Sequence, residues 1–268
     1  MKRCVIIGGA PITDYEEIKK HIRKNDYFIV CDCGLRHCEN LSVTPDLIVG
    51  DFDSYPLPST DKEVIVLPRE KDDTDTFFAA KEGVKRGFDD YSLIGVIGGR
   101  IDHTIGNLSI LLYLDSLGLT AKAVDDHSVL QIVSSGKAVI ESEYKFFSLL
   151  NITGIAKGIT IKNAKFPLED GEITCEYQYG ISNETVNGSP SEVSVKDGKL
   201  LLVKVIKYKK LKERFPSPFL FILLLARRQF QARKTWCYKR RWVYPALRHI
   251  QKHSKYRPRN LNRFPPRR

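Results

Sequence analysis

Three segments rich in aspartate or glycine each follow a short apolar run, and this pattern limits the chain to few folds. The segments are residues 50–54, 71–75 and 98–103, and the apolar runs before them are residues 47–49, 64–67 and 93–96. Runs of this length are typical of buried strands. In an open α/β sheet, ligands bind at the carboxyl ends of the strands. The pattern therefore predicts a sheet whose ligand site is built from the loops that follow its strands.

The rest of the N-terminal half continues this alternation of strands and helices. The predicted strands are residues 5–7, 28–30, 47–49, 64–67, 93–96 and 121–124, and the predicted helices lie near 14–24, 33–41, 75–87 and 104–117. In the last helix, the spacing predicts that Ile105, Leu108 and Leu111 face inward. Alternating strands and helices are typical of a mostly parallel sheet with helices on both faces. We therefore predict an α/β domain over residues 1–125.

Residues 126–205 have a different pattern, with short β-rich stretches separated by turn signals such as Asp197-Gly198. The predicted strands are residues 129–133, 138–140, 145–150, 160–162, 173–175, 192–195 and 200–203. Closely spaced short strands are typical of antiparallel sheets. The fold class is thus predicted as an α/β domain followed by a small antiparallel β-sandwich.

Charge is divided unevenly between this body and a C-terminal tail. Residues 206–268 carry 20 Lys and Arg and a single acid, Glu213, which gives the tail +19 and, from a total of +11, leaves residues 1–205 at −8. We predict that the tail lies outside both domains and is disordered or poorly specified helix; a changed reading frame would produce the same shift in composition. We expect neither nucleic acid nor a membrane as a partner. The alternative is nucleic-acid binding through the tail's cations and interleaved aromatic residues.

The apolar runs and the cysteines are typical of a cytoplasmic protein. The first run, Val5-Ile6-Ile7, is shorter than the apolar core of a signal peptide, and the run at residues 219–226 is too short to span a bilayer. The six cysteines are scattered, as is usual for thiols that stay reduced. We therefore expect a cytoplasmic location.

Asp51 and Asp53 are the first candidate site residues. A strand that continued through them would point both carboxylates to the same side, because side chains alternate with a period of two. Crowded carboxylates repel one another, and a divalent cation with oxygen ligands, such as Mg²⁺, relieves that repulsion. The pair therefore predicts a metal site at the end of a strand.

Asp72 and Asp75 flank the start of the helix predicted at residues 75–87. Aspartate is favourable there through capping and the helix dipole alone. Their position shortly after a strand favours a metal site shared with the earlier aspartates. Lys71 has two interpretations, a contact to phosphate or a solvated side chain.

Four further residues are candidates for contacts to a nucleotide. Gly8 follows the first strand, where a small residue lets backbone N–H groups approach phosphate. Asp32 follows the second strand, and it could bind a ribose, help to hold metal or cap a helix. Arg100 can engage phosphate as a fork, and Asp102 can fix Arg100 or a ligand hydroxyl. Metal, phosphate contacts and positioning are what phosphoryl-type transfer requires.

Taken together, the three segments resemble the thiamine pyrophosphokinase (thiamine diphosphokinase) family. The resemblance is carried by residues 44–54, 71–75 and 98–107, and residues 180–184 resemble the thiamine-pocket segment of that family. It covers residues 4–203. It implies a homodimer with an ATP-binding catalytic domain over residues 1–125 and a thiamine-binding β-sandwich over residues 126–205. The implied reaction transfers a pyrophosphoryl group from ATP to the hydroxyethyl group of thiamine, which gives thiamine diphosphate and AMP.

The resemblance also implies roles for individual residues. The implied metal ligands are Asp51, Asp53 and Asp75, the implied catalytic residues are Asp72, Asp75 and Arg100, and the residues around the nucleotide are Gly8, Asp32, Arg100 and Asp102. Ser182 and Asn183 would contact thiamine across the dimer interface. Either Asp75 or Asp72 would accept the hydroxyl proton. The alternative function is that of another Mg²⁺-dependent phosphotransferase or nucleotide hydrolase that uses the same carboxylates.

Overall fold

The structure is a computed structural model, and it describes residues 3–56, 58–134, 136–186 and 188–206. The predictions of disorder and of nucleic-acid binding for the tail therefore lie outside the described residues. The α-helices are α1 (Tyr15–Lys19), α2 (Cys38–Leu41), α3 (Asp75–Lys85) and α4 (Ile101–Ser116), and a 3-10 helix spans Asp32–His37. The strands are β1 (Arg3–Ile7), β2 (Tyr27–Cys31), β3 (Leu47–Gly50), β4 (Glu63–Val66), β5 (Asp90–Ile94), β6 (Thr120–Val124), β7 (Ser128–Val133), β8 (Lys137–Ile140), β9 (Phe146–Leu150), β10 (Ile155–Lys162), β11 (Leu168–Thr174), β12 (Asn183–Glu184), β13 (Ser191–Ser194) and β14 (Leu200–Val205).

Ten of these strands form one large mixed sheet in the order β12-β9-β14-β7-β6-β5-β1-β2-β3-β4. The six strands from β6 to β4 in this order pair in parallel. The strands β7, β14, β9 and β12 pair antiparallel. The predicted parallel sheet is therefore present, and it continues into antiparallel strands.

The parallel part of the sheet is covered on both faces. Along β1, Val5 and Ile7 belong to the core that contains residues of α1 and α2, whereas Cys4 and Ile6 belong to the core that contains residues of α3 and α4. This division follows from the period of two along a strand. All five residues of β1 are buried, as expected for a strand with helices on both sides.

A second sheet is entirely antiparallel, with the order β11-β10-β13-β8. Its inward side chains, including Ile140, Ile159 and Val193, share a core with Phe147 and Leu202 of the large sheet. This packing forms the predicted β-sandwich, and the predicted fold class is confirmed. One layer of the sandwich is part of the large sheet. The strands on either side of residue 125, β6 and β7, are therefore joined by backbone hydrogen bonds. The domain boundaries at residues 125 and 205 stay predictions.

Two helical predictions need correction. The helix expected at residues 14–24 is only the five-residue α1, and the one expected at residues 33–41 is divided into the 3-10 helix and α2. In α4, Ile105 was predicted to face inward, but 62% of its surface is exposed. The buried residues of α4 are Asn107, Ile110, Leu111 and Leu114, so Ile105 precedes the buried face of this helix. None of the helices within the described residues combines the length and apolarity that a membrane span requires.

Candidate active site

A cavity of about 450 Å³ lies at the carboxyl ends of the parallel strands. It is lined by the segments that follow β1, β2, β3, β4 and β5 and by the N-terminal parts of α3 and α4. The predicted residues that line it are Gly8, Asp32, Asp51, Asp53, Asp75 and Arg100. Its place is the one expected for a ligand site in an open α/β sheet.

Three carboxylates converge in this cavity. Each of Asp32, Asp51 and Asp75 offers an oxygen that lies within 4.8 Å of the others. Asp32 is 5% exposed, and its Oδ1 has no hydrogen-bond partner among the described residues. Burial, followed by the charges of Asp75 and Asp51, raises the pKa of Asp32. A buried carboxylate oxygen without a partner is costly, and a set of three carboxylates fits a hard divalent cation such as Mg²⁺.

The close approach of two strand ends at this cluster requires a glycine. A Cβ atom at Gly50 would lie 2.8 Å from the Cβ of Asp32. A larger residue at this position would push the end of β3 away from the end of β2. Gly50 therefore sets how closely Asp51 can approach Asp32.

Asp53 lies outside the group of three carboxylates. The strand β3 ends at Gly50, and Phe52 has a φ of 56°, a left-handed conformation that bulky residues seldom adopt. The period-two geometry used in the prediction therefore does not reach Asp53, although both Asp51 and Asp53 line the cavity. The backbone N–H of Asp53 donates to Asp51 Oδ1 at 3.3 Å, and its carboxylate accepts from the hydroxyl of Ser54.

Lys71 lies between two of the clustered carboxylates. Its Nζ is 3.0 Å from Asp51 Oδ2 and 2.6 Å from Asp75 Oδ1. Burial lowers the pKa of Lys71, but hydrogen bonds to Asp75 and Asp51 outweigh that effect and raise it. The hydrogen bond from Lys71 in turn lowers the pKa of Asp51. Neither interpretation from the sequence, phosphate contact or solvated side chain, included this ion-paired position.

The start of α3 is fixed by Thr74 rather than by an aspartate. The hydroxyl of Thr74 accepts a hydrogen bond from the backbone N–H of Phe77 at 3.3 Å, which places Asp75 in the first turn of the helix. Asp72 is exposed and does not line the cavity. The two aspartates that the sequence placed together at this helix start therefore have different surroundings.

Asn107 joins three elements behind the cavity, and the sequence analysis gave it no role. Its Nδ2 donates to the carbonyl of Val96 at 2.7 Å, and its Oδ1 accepts from the hydroxyl of Thr76 at 2.7 Å. These bonds connect α4 with the loop after β5 and with the first turn of α3. The available signal was a polar residue at the helical spacing of the apolar residues Ile110, Leu111 and Leu114.

The other residues predicted to lie around a nucleotide are already engaged. Arg100 Nη2 is 2.5 Å from Asp102 Oδ2, and Arg100 Nε donates to Asp102 Oδ1 at 3.1 Å. The hydrogen bond from Arg100 lowers the pKa of Asp102 to about 2. Both side chains are exposed, and of the two only Arg100 lines the cavity. The N–H of Gly8 donates to the carbonyl of Ile94 at 2.8 Å, so this residue lines the cavity with its N–H already used.

Ser182 and Asn183 do not line this cavity. Asn183 is 5% exposed, and its side chain forms two bonds with the backbone of Phe166, accepting from N–H at 3.0 Å and donating to the carbonyl at 2.7 Å. Ser182 is exposed, with a φ of 60°, and its N–H donates to the hydroxyl of Ser148. Asn183 therefore clamps the Phe166 segment in place.

Apolar side chains are exposed in the segments next to Asn183. Phe166 is 59% exposed, Ile181 is 56% exposed and Tyr177 is 70% exposed. The rings of Tyr177 and Tyr179 lie with their centroids 5.5 Å apart. We call these four residues, three aromatic residues and the aliphatic Ile181, the aromatic patch. Patches of this kind often mark binding surfaces.

Two sequence models of one protein family match separate parts of the chain. Residues 18–122 match the sequence model of the thiamin pyrophosphokinase catalytic domain, and residues 137–200 match that of the thiamin pyrophosphokinase vitamin B1 binding domain. Thiamine pyrophosphokinase of Bacillus subtilis is 24% identical over 212 residues, which cover 76% of this chain and 99% of the relative.

Solved structures of similar proteins share the fold. The crystal structure of thiamine pyrophosphokinase from Bacillus subtilis has a TM-score of 0.69 at 23% identity, over 77% of this chain and 100% of the other. The thiamin pyrophosphokinase of Geobacillus thermodenitrificans has a TM-score of 0.66 at 25% identity, over 77% and 99% of the two chains. That of Candida albicans has a TM-score of 0.58 at 16% identity, over 77% and 89%. Since both domain models of one family match in order and together cover more than half of the sequence, the chain belongs to the thiamin pyrophosphokinase family.

Proposed function

We propose that this protein transfers a pyrophosphoryl group from ATP to the hydroxyethyl oxygen of thiamine, giving thiamine diphosphate and AMP. One observation carries the proposal. Asp32 Oδ1 is a buried carboxylate oxygen without a hydrogen-bond partner among the described residues, and it belongs to the three-carboxylate cluster in the cavity. The chain also matches both domains of this family. A divalent cation bound there would satisfy that oxygen and offset the crowded charge.

In this proposal, Asp32, Asp51 and Asp75 hold Mg²⁺. When bound, Mg²⁺ offsets negative charge on the phosphates and orients them. Asp53, a metal ligand by resemblance, is exposed and lines the same cavity. The guanidinium group of Arg100 leaves Asp102 and binds the phosphates, to which it can donate two parallel hydrogen bonds.

The thiamine oxygen forms a bond to the β-phosphorus while the bond from that phosphorus to the oxygen shared with the α-phosphorus breaks and AMP leaves. A carboxylate of this chain takes the hydroxyl proton. Asp75 is favoured because its carboxylate lies in the cluster, whereas Asp72 is exposed and outside the cavity lining. Comparing Asp75→Asn with Asp72→Asn at saturating metal decides between them.

The thiamine site is proposed to lie at Ser182 and Asn183, at the interface of a cytoplasmic homodimer. The aromatic patch supports this location, because exposed rings suit both an aromatic ligand and the cover of a second subunit. Asn183 would act there partly through the segment that it clamps. Sedimentation analysis of the protein with and without thiamine tests the dimer.

The activity is tested by measuring AMP from ATP and Mg²⁺ with and without thiamine. We expect AMP only when thiamine is present, with an equal amount of thiamine diphosphate. Release of ADP, or of AMP without thiamine, would instead indicate the alternative phosphotransferase or nucleotide hydrolase. Removing metal with EDTA should stop the reaction, and adding back Mg²⁺ should restore it.

A further inference from the structure

We propose that Lys71 is an exchangeable counterion of the metal site. Its ammonium group holds the cation position between Asp51 and Asp75 when no divalent metal is bound, and it leaves that position for the phosphates of the nucleotide when metal binds. The proposal deepens the proposed function and rests on it, since it assumes that this cluster binds metal.

The geometry around Lys71 carries the proposal. Lys71 Nζ lies 3.0 Å from Asp51 Oδ2 and 2.6 Å from Asp75 Oδ1, so it stands between two of the three converging carboxylates. The side chain of Lys71 is 17% exposed, whereas most lysines stay in solvent. Asp32 Oδ1 nevertheless lacks a hydrogen-bond partner within the described residues. The ammonium group therefore relieves only part of the cluster's charge.

A divalent cation held by Asp51 and Asp75 would compete with the ammonium group of Lys71 for the position between these carboxylates. Two cations a few ångströms apart in a partly buried site repel each other, so metal binding favours the departure of Lys71 from the carboxylates. Its position allows this, because it lies in the loop between β4 and α3 and lines the same cavity as Arg100. Phosphates brought with the metal offer it a new anionic partner. The alternative is a static ion pair that stays in place whether or not metal is bound.

The first experiment measures metal binding without nucleotide. Mn²⁺ is titrated into the chelator-treated protein, and the free ion is followed by electron paramagnetic resonance. Lys71→Met should bind Mn²⁺ about tenfold more tightly than the wild type or better, because the competing unit charge is gone. Before metal is added, this variant should also melt at a lower temperature, and Mn²⁺ should raise its Tm more than that of the wild type.

Lys81→Met is the matched control. Lys81 lies ten residues further along the chain and forms an ion pair with Asp73 at 2.8 Å, outside the three-carboxylate cluster. Its removal takes away one positive charge of the same region without opening the cluster. We expect Lys81→Met to keep wild-type Mn²⁺ affinity.

The second experiment separates exchange from a static ion pair. Lysine acylation is quantified by mass spectrometry in the metal-free protein, with Mg²⁺, and with Mg²⁺ and a non-hydrolysable ATP analogue. Exchange predicts that labelling of Lys71 rises with Mg²⁺ and falls again with the analogue, while labelling of Lys81 stays constant.

Two results would overturn the proposal. The first is that Lys71→Met and Lys81→Met bind Mn²⁺ with equal affinity. The second is that the extent of Lys71 labelling is the same with and without Mg²⁺. If the wild type still forms AMP with thiamine, either result removes only the exchange of Lys71 and leaves the proposed function intact. If the wild type binds no Mn²⁺ at this cluster and forms no AMP, both proposals fail together.

Discussion

The cavity at the carboxyl ends of the parallel strands and the region around Asn183 use polar residues in opposite ways. In the cavity, three carboxylates crowd together and Asp32 Oδ1 has no hydrogen-bond partner within the described residues. Around Asn183, the buried amide is satisfied by the backbone of Phe166, and apolar rings are exposed instead. The first region offers clustered carboxylate oxygens, and the second offers exposed apolar side chains. The difference indicates that the two regions suit chemically different ligands.

The largest expected effect concerns the carboxylate cluster. Asp51→Asn keeps the size of the side chain and removes a charge that the metal needs, so thiamine-dependent AMP formation should fall by at least about 10²-fold. Circular dichroism should show an unchanged fold. Asp73→Asn is the control, because Asp73 pairs with Lys81 outside the cluster and should lose little activity. Near-normal turnover of Asp51→Asn would remove the metal assignment and with it the contrast between the two regions.

The next effect sharpens the role of Asn183. Asn183→Ala removes both bonds to Phe166 and leaves two partly buried backbone groups without these partners, which should cost about 1–3 kcal/mol of unfolding free energy. The KM for thiamine should rise much more than the KM for ATP, because the clamped segment belongs to the proposed thiamine site. Steady-state kinetics and urea denaturation measure the two effects. An equal rise of both KM values would count against a thiamine site in this region.

Asp32→Asn should have a smaller effect, and it should stabilise the metal-free protein, whereas Asn183→Ala should destabilise the protein. Asp32→Asn removes one of three crowded charges, so the metal-free protein should melt at a temperature higher by roughly 2–4 °C. The same change should weaken Mg²⁺ binding and lower activity. Thermal melts in EDTA and in Mg²⁺ test this, with Asp61→Asn as a control, since Asp61 is exposed and lies outside both the cluster and the cavity lining. A lower melting temperature for Asp32→Asn in EDTA would show that repulsion among the three carboxylates does not destabilise the metal-free protein.

The smallest effect is expected from removing the tail. The last strand of the large sheet, β14, ends at Val205, and the N–H of Ile206 donates to the carbonyl of His127. A chain that ends at Ile206 keeps both regions, so we expect unchanged thiamine-dependent AMP formation and at least equal solubility. Loss of activity, with the full-length chain active, would place the tail in the functional fold. Retention on a polynucleotide column by the full-length chain alone would assign that binding to the tail.

Much of the fold could be predicted from the sequence because apolar runs mark strands directly. Each predicted strand of the first 125 residues has a counterpart in β1 to β6, displaced by at most a few residues. Helices were harder to bound, since α1 ends after five residues and α4 packs only from Asn107 onward. Periodicity shows which residues could face a core, but the neighbouring elements decide where a core exists.

The site was predicted less completely than the fold. The sequence placed Asp51 and Asp75 together because both follow strands, and their carboxylates do meet. It offered three interpretations for Asp32, because nothing in a single strand end shows which other strand lies beside it. The resemblance implies a direct thiamine contact for Asn183, which stays a prediction. The bonds of Asn183 to Phe166 depend on a pairing between distant segments, which the sequence alone does not show.

The sequence by itself determined where the strands lie, that polar residues follow them, and that the chain resembles one family of enzymes. Local patterns suffice for these because backbone preferences and burial act over a few residues. Only the tertiary structure decided that Asp32 joins Asp51 and Asp75, that Lys71 lies between two of them, and that Phe52 turns Asp53 aside. Those facts depend on strand order and on loop conformation, and both are set by packing between segments far apart in the chain.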